Sequence, residues 1–239
     1  MKPPKIIMVE TSHPGNIGAA ARAMKTMCLS DIVLVQPKVF PDPIAFARAS
    51  GAADILENAR RCETLPEAIA DCQKVVGITA RNRRLSAPVV TPGQLMQQMK
   101  QDGENIQVAW VFGRERNGLS NEEIDLCTSV CTIPSNPDYG SLNIAAAIQI
   151  LCYEWYVSGL VPPPDKNDVK QTSQNELASI SEREGFYEHL WQALAKIDFL
   201  DQENPIPLMR KLRRLFDRAK LSRAEINILR GILKNIINQ

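Results

Sequence analysis

Four polar segments of this 239-residue chain carry side chains suited to binding anions or holding a reacting hydroxyl, and each directly follows a short apolar run. The first, Glu10-Thr-Ser-His-Pro-Gly-Asn-Ile-Gly-Ala-Ala-Ala-Arg22, is a glycine-containing turn that opens a helix of small side chains. Small side chains let another backbone, or another subunit, come close. Asn16 and Arg22 are expected near the start of that helix, where free amides and the positive dipole end favour a phosphate. The second, Thr79-Ala-Arg-Asn-Arg-Arg-Leu, places Arg81, Arg83 and Arg84 directly after a strand, a clustering that suits phosphate although exposed charge runs are often merely solvated.

The third segment, Phe112-Gly-Arg-Glu-Arg-Asn-Gly-Leu-Ser, flanks Glu115 with Arg114 and Arg116 between two glycines. Glu115 is expected to orient a neighbouring guanidinium through a bidentate pair, and an ordinary salt-bridged loop would have the same composition. The fourth runs from Ile133-Pro through Gly140-Ser-Leu-Asn143 into an alanine-rich helix. Ser141 is expected to cap that helix, and Asn143 is expected inside its first turn, where asparagine is a poor helix former and a functional role is the better explanation.

The elements that must position these loops are legible as alternating patterns. Ile6–Val9, Ile32–Val35, Val75–Ile78, Val108–Phe112 and Val130–Ile133 read as strands whose near-continuous apolar character suits a parallel sheet with helices on both faces. Helices are expected over Ile17–Met27, Pro43–Ala49, Pro66–Cys72, Thr91–Met99, Asn121–Cys127 and Leu142–Tyr156, with Ser120 and Glu123 forming a capping box. In such α/β sheets ligands bind beyond the carboxyl ends of the strands, where these loops lie. There is no G-x-G-x-x-G after the first strand and no P-loop motif, which disfavours dinucleotide and P-loop chemistry.

The prolines and polar residues after Val161 cannot continue a helix, so the chain divides into a catalytic α/β domain over 1–160, a linker over 161–180 and a helical extension over 181–239. Within the extension, Glu182–Ile197, Pro207–Ala219 and Arg223–Ile237 repeat apolar residues at helical spacing, and Ser222 with Glu225 forms another capping box. Between 210 and 223 stand Arg210, Lys211, Arg213, Arg214, Arg218, Lys220 and Arg223 against Asp217 alone. Such a cluster suits an RNA backbone; its bland alternative is a solvated helix face beside Leu212, Leu215 and Phe216.

Composition sets outer limits. A hydrophobic fraction of 44% with 23% charged residues is ordinary for a globular protein and excludes disorder as the main state. No apolar run is long enough to span a bilayer or to form a signal peptide, so a cytoplasmic protein without a membrane partner is expected. The cysteines are scattered, Cys127 and Cys131 have no second pair, and the histidines are only His13 and His189, so no metal site is expected.

Taken in order, Asn16-Ile-Gly-Ala-Ala-Ala-Arg22, Phe112-Gly-Arg-Glu-Arg-Asn-Gly-Leu119 and the segment from Ile133-Pro to Ser141-Leu-Asn143 resemble the three motifs of the SpoU branch of the SPOUT methyltransferases. The opening Val9-Glu-Thr-Ser-His-Pro-Gly-Asn-Ile-Gly and the tail segments Lys211-Leu-Arg-Arg-Leu-Phe-Asp-Arg and Glu225-Ile-Asn-Ile-Leu-Arg-Gly-Ile-Leu are similar to a subgroup that methylates the ribose of cytidine or uridine at the first nucleotide of the tRNA anticodon loop. The resemblance implies a parallel sheet ending in a deep trefoil knot, threaded over Ile133 to Tyr156, against the general rule that chains avoid knots. It implies S-adenosyl-L-methionine as methyl donor, held by Ile78, Thr79, Ala80, Gly113, Arg114, Ile133, Gly140, Ser141 and Leu142, mostly through backbone groups. It also implies a homodimer in which Arg22 faces the donor bound to the partner.

The catalytic set implied is Arg22, Glu115, Ser141 and Asn143, with Asn16, Arg22, Arg81, Arg83, Arg84, Arg210, Lys211, Arg213 and Arg214 contacting tRNA. The family assigns the base role to the residue at Arg22, but a guanidinium is poorly suited to accept a proton. Arg22 is therefore read as holding the adjacent phosphate and polarising the 2′-hydroxyl, with Glu115 fixing its orientation and Ser141 and Asn143 bonding the loop and ribose. Gly140 departs from the family pattern, where serine is frequent, leaving backbone contacts there. Two other readings are a SpoU enzyme acting on ribosomal RNA and a non-catalytic RNA-binding protein on the same fold; the latter would lack Arg22, Glu115 or Asn143.

Overall fold

The computed structural model describes residues 2–80, 87–103, 105–159, 176–200, 203 and 205–238. The chain separates into two compact units, Met1–Lys166 and Asn167–Gln239.

In the first unit seven strands form one sheet: β1 (Lys5–Val9), β2 (Ile32–Val35), β3 (Arg60–Cys62), β4 (Lys74–Ile78), β5 (Val89–Val90), β6 (Val108–Phe112) and β7 (Ser129–Cys131), in the order β3-β2-β1-β6-β4-β7-β5. Every pairing is parallel, with Met8 opposite Phe112, Phe112 opposite Ile78, and Ile78 opposite Cys131. The central strands are apolar on both faces and buried throughout, as a sheet flanked by helices requires. The expected parallel sheet is present. Sequence patterning missed its two edges: Arg60–Cys62 is too polar, and Val89–Val90 too short, to carry a strand signature.

The helices of this unit are α1 (Pro14–Thr26), α2 (Pro43–Ala49), α3 (Ala53–Glu57), α4 (Leu65–Ile69), α5 (Pro92–Asp102), α6 (Asn121–Asp125) and α7 (Ile144–Val157). The five-residue α3 was not expected from the sequence; it follows a short 3-10 turn at Ser50–Ala52. The Ser120–Glu123 capping box forms in both directions, at 2.7 and 3.2 Å. α1 packs against α2 so closely that a Cβ on Gly18 would lie 1.9 Å from the Ala45 carbonyl oxygen, which explains the run of small residues along α1.

The second unit contains α8 (Ile180–Lys196), α9 (Ile206–Ala219) and α10 (Arg223–Asn238) around Phe186, Tyr187, Leu190, Met209, Ile226 and Leu233. Phe216 meets the Phe186 ring edge-on at 4.9 Å between centroids. The Ser222–Glu225 box is present, at 2.8 and 3.3 Å. No helix among the described residues is long and apolar enough to cross a membrane.

Candidate active site

The register of β1, β6, β4 and β7 aligns their carboxyl ends, so the segments that follow emerge side by side. Glu10 to Ser12 leave β1, Gly113 to Glu115 leave β6, Thr79 and Ala80 leave β4, and Thr132 and Ile133 leave β7. The Thr79 amide donates to the Cys131 carbonyl at 3.1 Å, extending the β4–β7 ladder by one bond beyond the strands. β7 ends at Cys131, two residues sooner than expected, which leaves Ile133 in the loop rather than the sheet.

Three of these loops are joined by one hydrogen-bonded relay. The Glu115 carboxylate accepts from the Ser12 amide, 3.1 Å from each oxygen, from the His13 amide at 3.3 Å and from Asn16 Nδ2 at 3.0 Å. Asn16 Oδ1 in turn accepts from Asn143 Nδ2 at 3.1 Å, and Asn143 Oδ1 accepts from the Ala145 amide at 2.9 Å. Burial works to raise the Glu115 pKa, but the hydrogen bonds from its own amide, Asn16, Ser12 and His13 outweigh it and hold the group below its ordinary value. A carboxylate held ionised in this way is a poor proton acceptor and a good anchor.

This geometry corrects several expectations. Just ahead of α1 the Glu115 carboxylate takes the Ser12 and His13 amides, and within the first turn the Gly15 amide donates to His13 Nδ1 at 3.0 Å, so these donors are engaged within the chain and are not left for a phosphate. Glu115 is bound by amides and not by a guanidinium, so within one chain it does not orient Arg22. Arg22 sits well inside α1, about 9 Å along the axis and about 240° around it from Asn16, and is exposed. Among the described residues its guanidinium has no hydrogen-bond or ion-pair partner. Asn143 is not inside the first turn of α7: it is the N-cap, a position where asparagine is favoured, and Ser141 lies two residues upstream, exposed and not capping.

The arginine that is fixed is Arg114. Its Nη1 donates to Glu123 Oε2 at 3.0 Å and its Nη2 pairs with Glu10 Oε1, while Glu10 Oε2 lies 3.3 Å from Lys38 Nζ. The hydrogen bonds to Glu10 and Glu123 raise the Arg114 pKa, and the bond to Arg114 is the largest influence lowering that of Glu10. The Arg114 and Gly118 backbones pair in both directions, at 3.2 and 2.8 Å, closing a tight loop, and a Cβ on Gly113 would stand 2.2 Å from the Gly118 carbonyl carbon.

Of the remaining expected residues, Thr79, Gly113, Arg114, Ile133 and Gly140 are half-buried, Ile78 is buried, and Ala80, Ser141 and Leu142 are exposed. The loop before α7 is ordered by its own bonds, Ser135 Oγ to the Gly140 carbonyl at 3.1 Å and Asp138 N to Asn136 Oδ1 at 3.0 Å. Arg81, Arg83 and Arg84 lie outside the described residues. In α9, Arg210, Lys211, Arg214 and Arg218 are exposed within an arc of about 100°. Arg213 is turned inward: it forms an ion pair with Glu184 and stands 4.4 Å over the Tyr187 ring, so its guanidinium is engaged in the fold of the unit and not presented with the others. Asp217 is held by Arg183 at 2.9 Å.

Comparison with known proteins fits this geometry. Residues 3–153 match the SpoU rRNA Methylase family, and residues 181–239 match the C-terminal domain of tRNA methyltransferase TrmJ. The chain is 48% identical to the tRNA (cytidine/uridine/adenosine-2′-O-)-methyltransferase TrmJ of Pseudomonas aeruginosa, over 96% of this chain and 91% of that protein. It is 44% identical to the tRNA (cytidine/uridine-2′-O-)-methyltransferase TrmJ of Yersinia pestis, over 98% and 91% respectively. The crystal structure of TrmJ from Z. mobilis ZM4 superposes with a TM-score of 0.83 at 35% identity, covering 98% of this chain and 99% of that one. The chain is thus an enzyme of the SpoU methylase family, belonging by both of its units to the TrmJ branch.

Proposed function

We propose that the protein transfers a methyl group from S-adenosyl-L-methionine to the ribose 2′-hydroxyl of cytidine or uridine at the first nucleotide of the tRNA anticodon loop, acting as a cytoplasmic homodimer. The observation that carries this reading is the relay Glu115–Asn16–Asn143, which draws the loops after β1, β6 and β7 into one site. tRNA as substrate is supported by the TrmJ relatives and by the exposed cations of α9. The domain division proposed is a SPOUT catalytic domain over 1–160, a linker over 161–180 and an RNA-binding extension over 181–239, with the segment from Ile133 to Tyr156 threaded into a trefoil knot.

The residues present fit the donor. Among the described residues, Thr79, Ala80, Gly113, Gly140 and Ser141 are small and lie in the loops that leave the carboxyl ends of the strands, while Leu142, 39% exposed, and half-buried Ile133 offer apolar surface to an adenosine. Arg114 serves this site by shaping its loop, since its side chain is engaged by two carboxylates and its backbone pairs with Gly118 in both directions. The bound donor supplies an electrophilic methyl group on a sulfonium.

The chain must align the 2′-oxygen and ease removal of its proton, so positioning is the main contribution. Asn16 and Asn143 each keep a free amide hydrogen on Nδ2, preorganised for a ribose or phosphate oxygen. Arg22 holds the neighbouring phosphate and polarises the hydroxyl. Its position on α1, turned away from its own relay, favours action at the site of the partner, and the exposed Tyr153, Tyr156 and Val157, together on one face of α7, supply apolar surface for pairing.

The test is complementation. R22A and N143A should each be nearly inactive with tRNA while R22A binds the donor as the wild type does. Mixed after subunit exchange, the two should recover about a quarter of wild-type activity per dimer, from the one site with both residues intact; no recovery would place Arg22 in its own chain's site.

A further inference from the structure

Glu10 opens the first polar loop but belongs to none of the catalytic, donor-binding or RNA-contacting sets that the resemblance implies, yet it is among the most constrained polar residues at the carboxyl edge of the sheet. It follows β1 directly with a positive φ of 45°, a backbone conformation that a non-glycine residue adopts at a cost. Its side chain nonetheless reaches two other loops at once: Arg114 after β6, and Lys38 after β2 at 3.3 Å. The Lys38 amide also donates to the Thr11 carbonyl at 3.0 Å, so the loop after β2 is tied to Glu10's neighbour as well. On its other side Arg114 meets Glu123, whose carboxylate also closes the cap of α6 by accepting from the Ser120 amide at 2.7 Å.

An arginine clamped between two carboxylates has a single low-energy orientation, because its planar fork must satisfy both. Arg114 is the first residue of the loop closed by its backbone pairing with Gly118, and Glu115, the next residue, reaches back to Ser12, His13 and Asn16. The side chains of 114 and 115 therefore grip the loop after β1 from two directions, one at Glu10 and one at Ser12 to Asn16.

We propose that Glu10 is a positioning residue: by fixing Arg114 together with Glu123, it sets the shape of the Gly113–Gly118 loop, which borders the proposed donor site at Gly113 and from which Glu115 reaches Asn16. The inference rests on the proposed donor site. It assigns Glu10 no contact with the donor or the RNA.

The experiment compares wild type, E10Q, R114M and the double variant E10Q/R114M by donor titration calorimetry, steady-state kinetics with tRNA and thermal unfolding. E10Q should raise the KM and Kd for the donor about ten- to a hundredfold, with a smaller change in kcat and a slightly lowered melting temperature. The double variant should be no worse than R114M alone, since both remove one interaction. E10D, which keeps the charge, should recover part of the donor affinity. Donor KM and Kd for E10Q within twofold of wild type, or additive losses in the double variant, would overturn the assignment; so would a loss of affinity matched by unfolding of E10Q and not relieved in E10D. A wild type that neither binds the donor nor methylates tRNA would instead refute the function on which the inference rests.

Discussion

Asn143 Nδ2 donates to Asn16 Oδ1 at 3.1 Å, joining residues 127 positions apart in the chain. The same carboxamide caps α7 through the Ala145 amide, so one side chain both starts a helix and orients a neighbour in the site. Asn143→Ala removes both functions. It should cost about 1 kcal/mol of stability from the lost cap and depress kcat by a far larger factor than that loss explains. N143D keeps a capping oxygen but loses the donor to Asn16, so it should retain most of the stability while remaining defective in turnover. Thermal unfolding and single-turnover kinetics on the pair separate the roles.

The cations of α9 should divide into two groups. Removing Lys211 or Arg214 should weaken tRNA binding and reduce the magnitude of the salt slope by about one unit each, leaving the melting temperature unchanged. Arg213→Ala should instead lower stability, because it removes the ion pair with Glu184 and the cover over Tyr187. Salt-dependent binding curves alongside unfolding curves distinguish the two; an R213A variant with wild-type stability and weakened tRNA binding would return Arg213 to the RNA-facing group.

Acid should act on the site through Glu10 and Glu115, both held below the ordinary value of 4.5. When the folded-state pKa lies below the unfolded one, the stabilisation is complete above the unfolded pKa and is lost as pH falls through the folded one. Donor affinity and thermal stability should thus be insensitive to these two groups between roughly pH 8 and pH 5 and decline below that. An E115Q variant should show a shallower decline than the wild type, measured by calorimetry across the acid range.

Thiol reactivity follows burial. Cys72, Cys127, Cys131 and Cys152 are buried with their pKa values pushed up to about 12, Cys62 is buried and raised, and Cys28 is exposed. A native-state titration near pH 8 should find Cys28 reacting fast and the other five only on unfolding. Rapid labelling of Cys131, which ends β7, would contradict the packing of that strand.

The parts of the structure legible in the sequence are those where pattern and packing agree. The central strands are apolar on both faces and α1 carries small residues at its contact with α2, so the sheet and the close helix approach both leave a trace. The edges β3 and β5 leave none, since one face of an edge strand answers to solvent. In the site, residue types were legible but partners were not. Composition places Glu115 between two arginines, yet its bonds go to amides of residues 12 and 13 and to Asn16, contacts set by the parallel register of β1 and β6. Glu10 was passed over because a single acid after a strand resembles any solvated loop residue. Its pairing with Lys38 and Arg114 appears only when the ends of β1, β2 and β6 are brought level.

The most direct test of the account is mass spectrometry of nuclease-digested tRNA after incubation of the purified protein with isotopically labelled S-adenosyl-L-methionine. The account predicts label in 2′-O-methylcytidine or 2′-O-methyluridine from the first anticodon-loop nucleotide, abolished in N143A. Label on a base, label at another ribose, or an unlabelled tRNA beside labelled ribosomal RNA would contradict it.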